Sequence, residues 1–350
     1  MSIFFVTENP YSLPNNPYLR TLIDELKCLD ESLEIQWGMK IFWSDEIFLF
    51  DIIHFQWPDA CLTEGGQHHV EELENRLSVL KAEGKKIVAT CHNLVPHYCQ
   101  SEERIKCYSV VYRSCDYMFH LGEYSQEMCQ KEYPQAEHWL LPHHVYDTIY
   151  PSVPSKEESC QRLGLKANKK HVLCFGAFRD FEERNIVSRL VKRWNGSIRM
   201  IAPNYMTVPQ TTFPNKQRIR QLYYKYRYRL YVTGNTCHAV SEELLPYFFG
   251  ASDMVLIPRV KILNSGNLPL AFLMKKAVVG PDVGNVGLLL RKTNNHVFDT
   301  GHLEELADII SSDEGYLERG LKNYEYAMSH WTTAMIGRTL LEYYKKLCKV

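Results

Sequence analysis

Two turns in the second half of the chain carry residue types that hold anions. Asn264-Ser265-Gly266-Asn267 follows the apolar run 254–257 and leads straight into a helical pattern. Asparagine and serine can cap a helix, and a glycine without a Cβ lets a ligand approach backbone amides closely. The helix dipole favours the same negative charge, by about 0.3–1 kcal/mol and up to about 2 in sheltered geometry. Arg259 and Lys261, just upstream, supply countercharge. The second turn is "CFGAFRDFEERN", where Gly176 closes a strand and Arg179 and Arg184 flank it with planar donor forks suited to phosphate oxygens. Taken alone, each turn also reads as an ordinary capped loop with solvated arginines.

In the first half, "VATCHNLVPH" places His92 and Asn93 at the end of another apolar strand, with His97 one turn later. A histidine there can hydrogen-bond a sugar hydroxyl, act as a base, or cap the strand. Trp57, ending the run "HFQWP", can stack on a sugar or fill the core. His68-His69 and His143-His144 are adjacent pairs whose members would point to opposite faces of a strand, so neither chelates by itself and no metal is assigned. No Asp-x-Asp turn follows a strand to hold a metal-bound diphosphate, so charge must be neutralised by amides and cationic side chains. The 11 cysteines include no Cys-x-x-Cys pair and read as reduced thiols of a cytosolic chain, not as a disulfide framework or a zinc site. Cys91, Cys99, Cys107 and Cys115 recur every eight residues, which matches neither helix nor ligand spacing.

The elements that must position these turns alternate. Short apolar runs ("SIFFVT", "DIIHFQW", "KKIVATCHN", "YMFHLG", "HWLLPH") are separated by helical patterns over 17–30, 70–83, 102–114 and 125–132. Such alternation predicts a parallel sheet covered on both faces, a doubly wound α/β domain. A polar stretch over 147–170 marks a boundary, and the pattern then repeats from "KHVLCFG" with a helix over 185–194. At 350 residues two domains are expected, 1–150 and 151–331, with a closing amphipathic helix over 332–346. Tandem sheets of this kind place a cleft at their strand carboxyl ends.

Composition narrows the partners. A net charge of -1 denies the chain a global field for nucleic acid. The basic-aromatic segment "NKQRIRQLYYKYRYRLYV" over 215–232 reads as a solvated helix-to-strand edge, a lipid-facing surface, or, last, a nucleic-acid contact. No apolar run approaches the roughly 20 residues of a membrane helix, and "MSIFFVTENP" reads as a first strand, not a signal peptide.

Taken in order, "NNPYLRTLIDEL", "DIIHFQWP", "KKIVATCHNLVPH", "CDYMFHLGEYS", "LLPHHVYDTIYP", "CFGAFRDF", "EELLPYFFGASDMVLIP", "NSGNLPLAF", "AVVGPDVGNVGLLL" and "HWTTAMIG" resemble GT-B glycosyltransferases, especially bacterial family 4-like enzymes of capsule and exopolysaccharide synthesis, over nearly the whole chain. The resemblance implies two Rossmann-like domains facing a cleft, with the final helix (332–350) crossing back to the N-terminal domain. It implies an acceptor-binding first domain and a nucleotide-sugar-binding second domain. Gly176, Arg179, Asn264, Ser265, Gly266 and Asn267 would surround the diphosphate, with Arg184, Arg259 and Lys261 as further cations. His92 would touch the donor sugar, and Asn15, Asn16, Asn93 and His97 would lie on the acceptor side. The implied reaction needs no cofactor beyond a nucleoside-diphosphate-sugar donor and takes a free or lipid-linked saccharide acceptor. Its implied location is the cytoplasm, with peripheral contact at the inner face of a membrane. The chain departs from the family at Glu182, where a lysine is common, at Ile262 and Leu270, where two glutamates are usual, and at His144, where glycine is common. These departures keep open an alternative, a GT-B-like subunit that binds a saccharide or a partner enzyme.

Overall fold

Apolar runs buried on both faces are what parallel sheets require, and all five residues of β1 (Ser2–Val6) are buried. The computed structural model describes residues 1–12, 17–62, 68–96, 101–205, 219, 222–223, 225–228, 230 and 240–348. Asn15, Asn16 and His97 lie outside the described residues, as does much of the basic-aromatic stretch over 215–232. The chain forms two compact units.

The first unit comprises Met1–His144 and Trp331–Val350. Its six parallel strands are β1, β2 (Glu34–Trp37), β3 (Ile52–Phe55), β4 (Lys86–Cys91), β5 (Tyr117–His120) and β6 (Glu137–Leu140), in the spatial order β2-β1-β3-β4-β5-β6. Register sets Ile3 beside Ile52, and Cys91 beside His120. The helix Tyr18–Leu29 buries Leu19, Leu22, Ile23 and Leu26 at helical spacing. It packs against the helix Thr333–Leu347, which buries Ile336, Leu340, Leu341 and Tyr344. Thr332 caps that last helix by accepting from the Met335 amide.

The second unit is Val145–His330. Its strands β7 (Lys170–Leu173), β8 (Ile198–Ile201), β9 (Met254–Leu256), β10 (Ala277–Pro281) and β11 (His296–Phe298) stand in the order β11-β10-β9-β7-β8, all parallel. β8 lies on one side of β7 and β9 on the other, so the winding reverses between β7 and β9. A crevice opens at the carboxyl ends of two such strands, where open α/β sheets bind ligands.

Boundaries move where caps decide them. The helix expected over 185–194 begins at Phe181, because the Asp180 carboxylate accepts from the Glu183 amide. β2 was not among the apolar runs that announced strands, since only Ile35 of its four residues is buried. Among the described residues, no helix is long and apolar enough to cross a membrane.

Candidate functional site

The turns leaving β7 and β9 meet at the reversal point of the second sheet. Gly176 has φ +97°, and a Cβ built on it would stand 3.3 Å from Asn267 Nδ2 and 3.4 Å from Arg259 Nη2. The left-handed backbone favours glycine here, and a Cβ would in addition press Asn267 Nδ2 back by a few tenths of an ångström. A shallow hollow results, lined by Gly176, Ala177, Glu183, Pro258, Arg259 and Asn267.

Hydrogen bonds hold the hollow together. Asn267 Nδ2 donates to the Phe175 carbonyl at 2.6 Å, and Arg259 Nη2 to the Ala177 carbonyl at 2.6 Å. Glu183, only 4% exposed, accepts from Arg259 Nε at 3.2 Å and from the Arg179 amide at 2.9 Å. Arg184 directs its guanidinium into the same loop, with Nη1 donating to the Asp180 carbonyl at 3.0 Å and Nη2 to the Phe178 carbonyl at 3.3 Å. Burial pulls the Arg184 pKa below the usual arginine value. Lys261 reaches outward, 82% exposed and 3.5 Å from Glu182, a pair that solvent screens. Of the four candidate cations, Arg184 and Arg259 are engaged with the protein's own carbonyls and carboxylate, Lys261 is held loosely at the surface, and Arg179 joins the loop through its backbone amide, which donates to Glu183.

The helix Asn267–Leu273 begins differently from the expectation of asparagine or serine caps. Gly266 occupies the N-cap in the right-handed region, and no side chain caps the helix. Asn267 is drawn to Phe175 instead, and Asn264 Oδ1 accepts from Asn285 Nδ2 at 2.7 Å. The Ser265 hydroxyl is buried without a hydrogen-bond partner among the described residues. Such a group in a polar turn is a ready place for a ligand oxygen, because an unmet buried hydroxyl costs about 1–3 kcal/mol. A third turn packs on the backbone just before Asn264. Gly284 has φ +57°, and a Cβ there would lie 2.8 Å from the Ile262 carbonyl and 2.9 Å from that of Leu263. Ile262 and Leu270, at the two positions where the resemblance expects glutamates, are both buried.

In the first unit, His92 follows β4 directly. Its Nε2 donates to Gln56 Oε1 at 2.9 Å, since an amide oxygen can only accept. Its ring stacks on Trp57, with centroids 5.0 Å apart, and meets Tyr18 edge-on at 5.1 Å. Behind it, Gln56 Nε2 reaches His54 Nε2 at 3.2 Å, and His54 Nδ1 lies 2.5 Å from the Tyr344 hydroxyl on the last helix. Burial pushes His54 down to about 3, so that ring is neutral and serves as scaffold. Asn93 is buried, and its carbonyl accepts from the Tyr112 hydroxyl at 2.6 Å. His144 stacks on Tyr18 and bonds its carbonyl at 3.1 Å, which makes it a packed support of that helix entrance.

Sequence reasoning missed Glu183, Gln56 and Tyr18. Glu183 had a signal: aspartate followed three residues later by glutamate is a helix-entrance pattern. Gln56 sits in the quoted run "HFQWP", yet nothing local pairs it with His92, 36 residues away.

No protein-family model matches the sequence, and no curated protein matches it. Solved structures do. Sucrose-phosphate synthase from Thermosynechococcus elongatus superposes with a TM-score of 0.72 at 13% identity, covering 99% of each chain. The Anabaena protein HepE in complex with UDP gives 0.69 at 15% identity, covering 99% of this chain and 100% of that one. A putative UDP-N-acetylglucosamine 2-epimerase from Listeria monocytogenes gives 0.61 at 10% identity, covering 97% and 94%. At these identities the likeness is one of fold, and the chain accordingly has the GT-B fold of two Rossmann-like α/β units.

Proposed function

We propose that the chain is a glycosyltransferase that moves a sugar from a nucleoside diphosphate to a saccharide acceptor. One observation carries the reading: the Gly176 turn, the Arg259 side chain and the Ser265–Asn267 helix entrance converge at the carboxyl ends of β7 and β9. On this reading, the diphosphate rests against the Gly176 turn and reaches the Ser265 hydroxyl. Arg179 and Lys261 offer charge, while Arg184, Arg259 and Glu183 hold the loop in shape. As the bond from the sugar's anomeric carbon to phosphate oxygen breaks, preorganised amides and cations stabilise the departing charge. The reading needs no metal for that step. His92 is assigned to the transferred sugar, with the proton on Nε2 fixed by Gln56. Asn93 shapes the same turn. Asn15, Asn16 and His97 are assigned to the acceptor. Surface-polysaccharide synthesis at the inner face of a membrane, with a lipid-linked acceptor, is the setting that fits the family resemblance.

The test is thermal shift with UDP, GDP, ADP and dTDP sugars, followed by assay of donor turnover. A ligand of the folded state raises stability by about 2.7 kcal/mol at one hundred times its Kd. A shift with at least one donor, lost in Ser265→Glu, supports the reading. Silence across the panel rejects it in favour of a saccharide- or partner-binding subunit, a second reading motivated by the apolar burial of Ile262 and Leu270 and by Glu182 beside Lys261. Binding of UDP-N-acetylglucosamine with epimerisation and no transfer would reject transferase chemistry while keeping the donor site.

A further inference from the structure

Cys91, His120 and Cys129 lie far apart in sequence and meet inside the first unit. Cys91 ends β4 and His120 ends β5, paired side by side in register, and Cys129 comes from the overlying helix Glu123–Glu132. All three are fully buried. The two sulfurs and a ring nitrogen of His120 lie within 4.8 Å of one another, the one group of three or more such ligands among the described residues. We propose that this cluster is a binding site for a soft divalent cation, of which zinc is the best fit.

Two independent features point there. The first is the imidazole. His138 Nε2 lies 3.0 Å from the Tyr133 carbonyl, which can only accept, so that nitrogen carries the proton. His138 Nδ1 then holds a lone pair and accepts from His120 Nε2 at 2.9 Å. In a neutral His120 ring this leaves the lone pair on Nδ1, which is buried without a hydrogen-bond partner among the described residues. A ligating histidine is ordinarily prepared in this way, its far nitrogen donating to a second group that fixes the tautomer.

The second feature is the sulfur spacing. Two thiolates bound at about 2.3 Å to one tetrahedral zinc stand about 3.8 Å apart. Cys91 and Cys129 Sγ are 3.9 Å apart, whereas a disulfide would need about 2.05 Å. Cys61 and Cys107 provide an internal contrast. Their sulfurs are 3.8 Å apart, but both donate to the Pro58 carbonyl, at 2.9 and 3.1 Å. No imidazole joins that pair among the described residues.

Charge selects the cation. On binding, the two thiols release two protons to solvent and form two metal–sulfur bonds, while His120 contributes one metal–nitrogen bond. Two thiolates and a divalent cation sum to zero, which a fully buried site favours over the net negative charge left by a monovalent ion. Cys91 Sγ does donate to the Asn93 carbonyl, but at 3.9 Å, a much longer contact than those of Cys61 and Cys107 to Pro58. The role is structural. Cys91 immediately precedes His92, so the ion would brace the turn that presents it, and no step of the proposed transfer runs through the metal.

The full chain, stripped by chelator under reducing conditions, should take up one Co(II) per molecule, with thiolate-to-cobalt absorption in the near ultraviolet and strong visible bands of a tetrahedral ion. Zinc should displace it. Cys129→Ser should lose about half of the charge-transfer intensity or fail to bind, while Cys107→Ser should bind as the parent does. Should Cys129→Ser fail to fold, the parent spectrum decides alone, since a thiolate-free or octahedral spectrum overturns the site. No uptake, uptake unchanged in Cys129→Ser, uptake lost equally in Cys107→Ser, or a Cys91–Cys129 disulfide in peptide mapping would each overturn it too.

Discussion

Glu183 organises the donor-side loop more than any arginine near it. It is 4% exposed and joins Arg259 to the Arg179 amide, so its removal leaves a largely buried guanidinium without its countercharge. Breaking a buried pair from one side costs about 3–5 kcal/mol. Glu183→Ala should therefore lower the urea midpoint markedly, and Glu183→Gln, which keeps an acceptor oxygen, should lower it less. Equal midpoints for the parent and the alanine variant would remove the loop-holding role. Gly176→Ala meets both the left-handed backbone, worth about 1–2 kcal/mol against a Cβ, and the crowding of Asn267 and Arg259. It should lose about that much stability and weaken nucleotide binding. An alanine variant with the parent's melting temperature and donor shift would show that the turn does not need glycine.

Among the elements, the closing helix and the Gly284 turn carry the clearest consequences. Leu340 is fully buried on the helix Thr333–Leu347, which packs against the helix Tyr18–Leu29. Leu340→Ala should destabilise the first unit by about 2–5 kcal/mol, as cavity-forming core changes do, read as a shift in its denaturant midpoint. Gly284→Ala would press a methyl group on the carbonyls of Ile262 and Leu263. Because those are backbone atoms, the whole turn before Ser265 must move, and donor binding should fall more than stability does. Retained affinity with reduced stability would detach the third turn from the site. These elements were mostly legible in the sequence, because apolar runs alternating with 3.6-residue patterns leave few other solutions. The helix over 102–114 has the expected bounds. What escaped was set by contacts distant in the chain. β2 is short and carries one buried residue, so its alternation is too brief to stand out. The turn residues Gly176 and Asn267 could be picked out by type, but their contact, 91 positions apart, depends on β7 and β9 being neighbours. Cys91 and His120 likewise acquire a relation only through the β4–β5 register.

For the molecule as a whole, buried neutral histidines set a pH response. Burial pushes His54 to about 3 and His144 to about 4, against about 6.5 for an exposed ring. The unfolded chain thus binds protons that the folded first unit refuses. The stability these rings contribute is complete above about pH 6.5 and declines as pH falls towards 4, by up to about 1.4 kcal/mol per pH unit for each ring. Urea midpoints of the parent should drop across that window, and His144→Gln should flatten the slope. A midpoint level from pH 7 to 4.5 would contradict the assignment of neutral rings.

The division of the chain has a further consequence for how it is made. The second unit is one continuous stretch, Val145–His330, whereas the first takes its final helix from beyond that stretch. Tyr344 from this helix bonds His54, and Leu340 and Leu347 are buried on it. On a ribosome, the stretch begun later has all its residues first, and the amino-terminal sheet must wait, with one flank uncovered, for the last segment to emerge. Until then its apolar surface is the part of the nascent chain most in need of a chaperone.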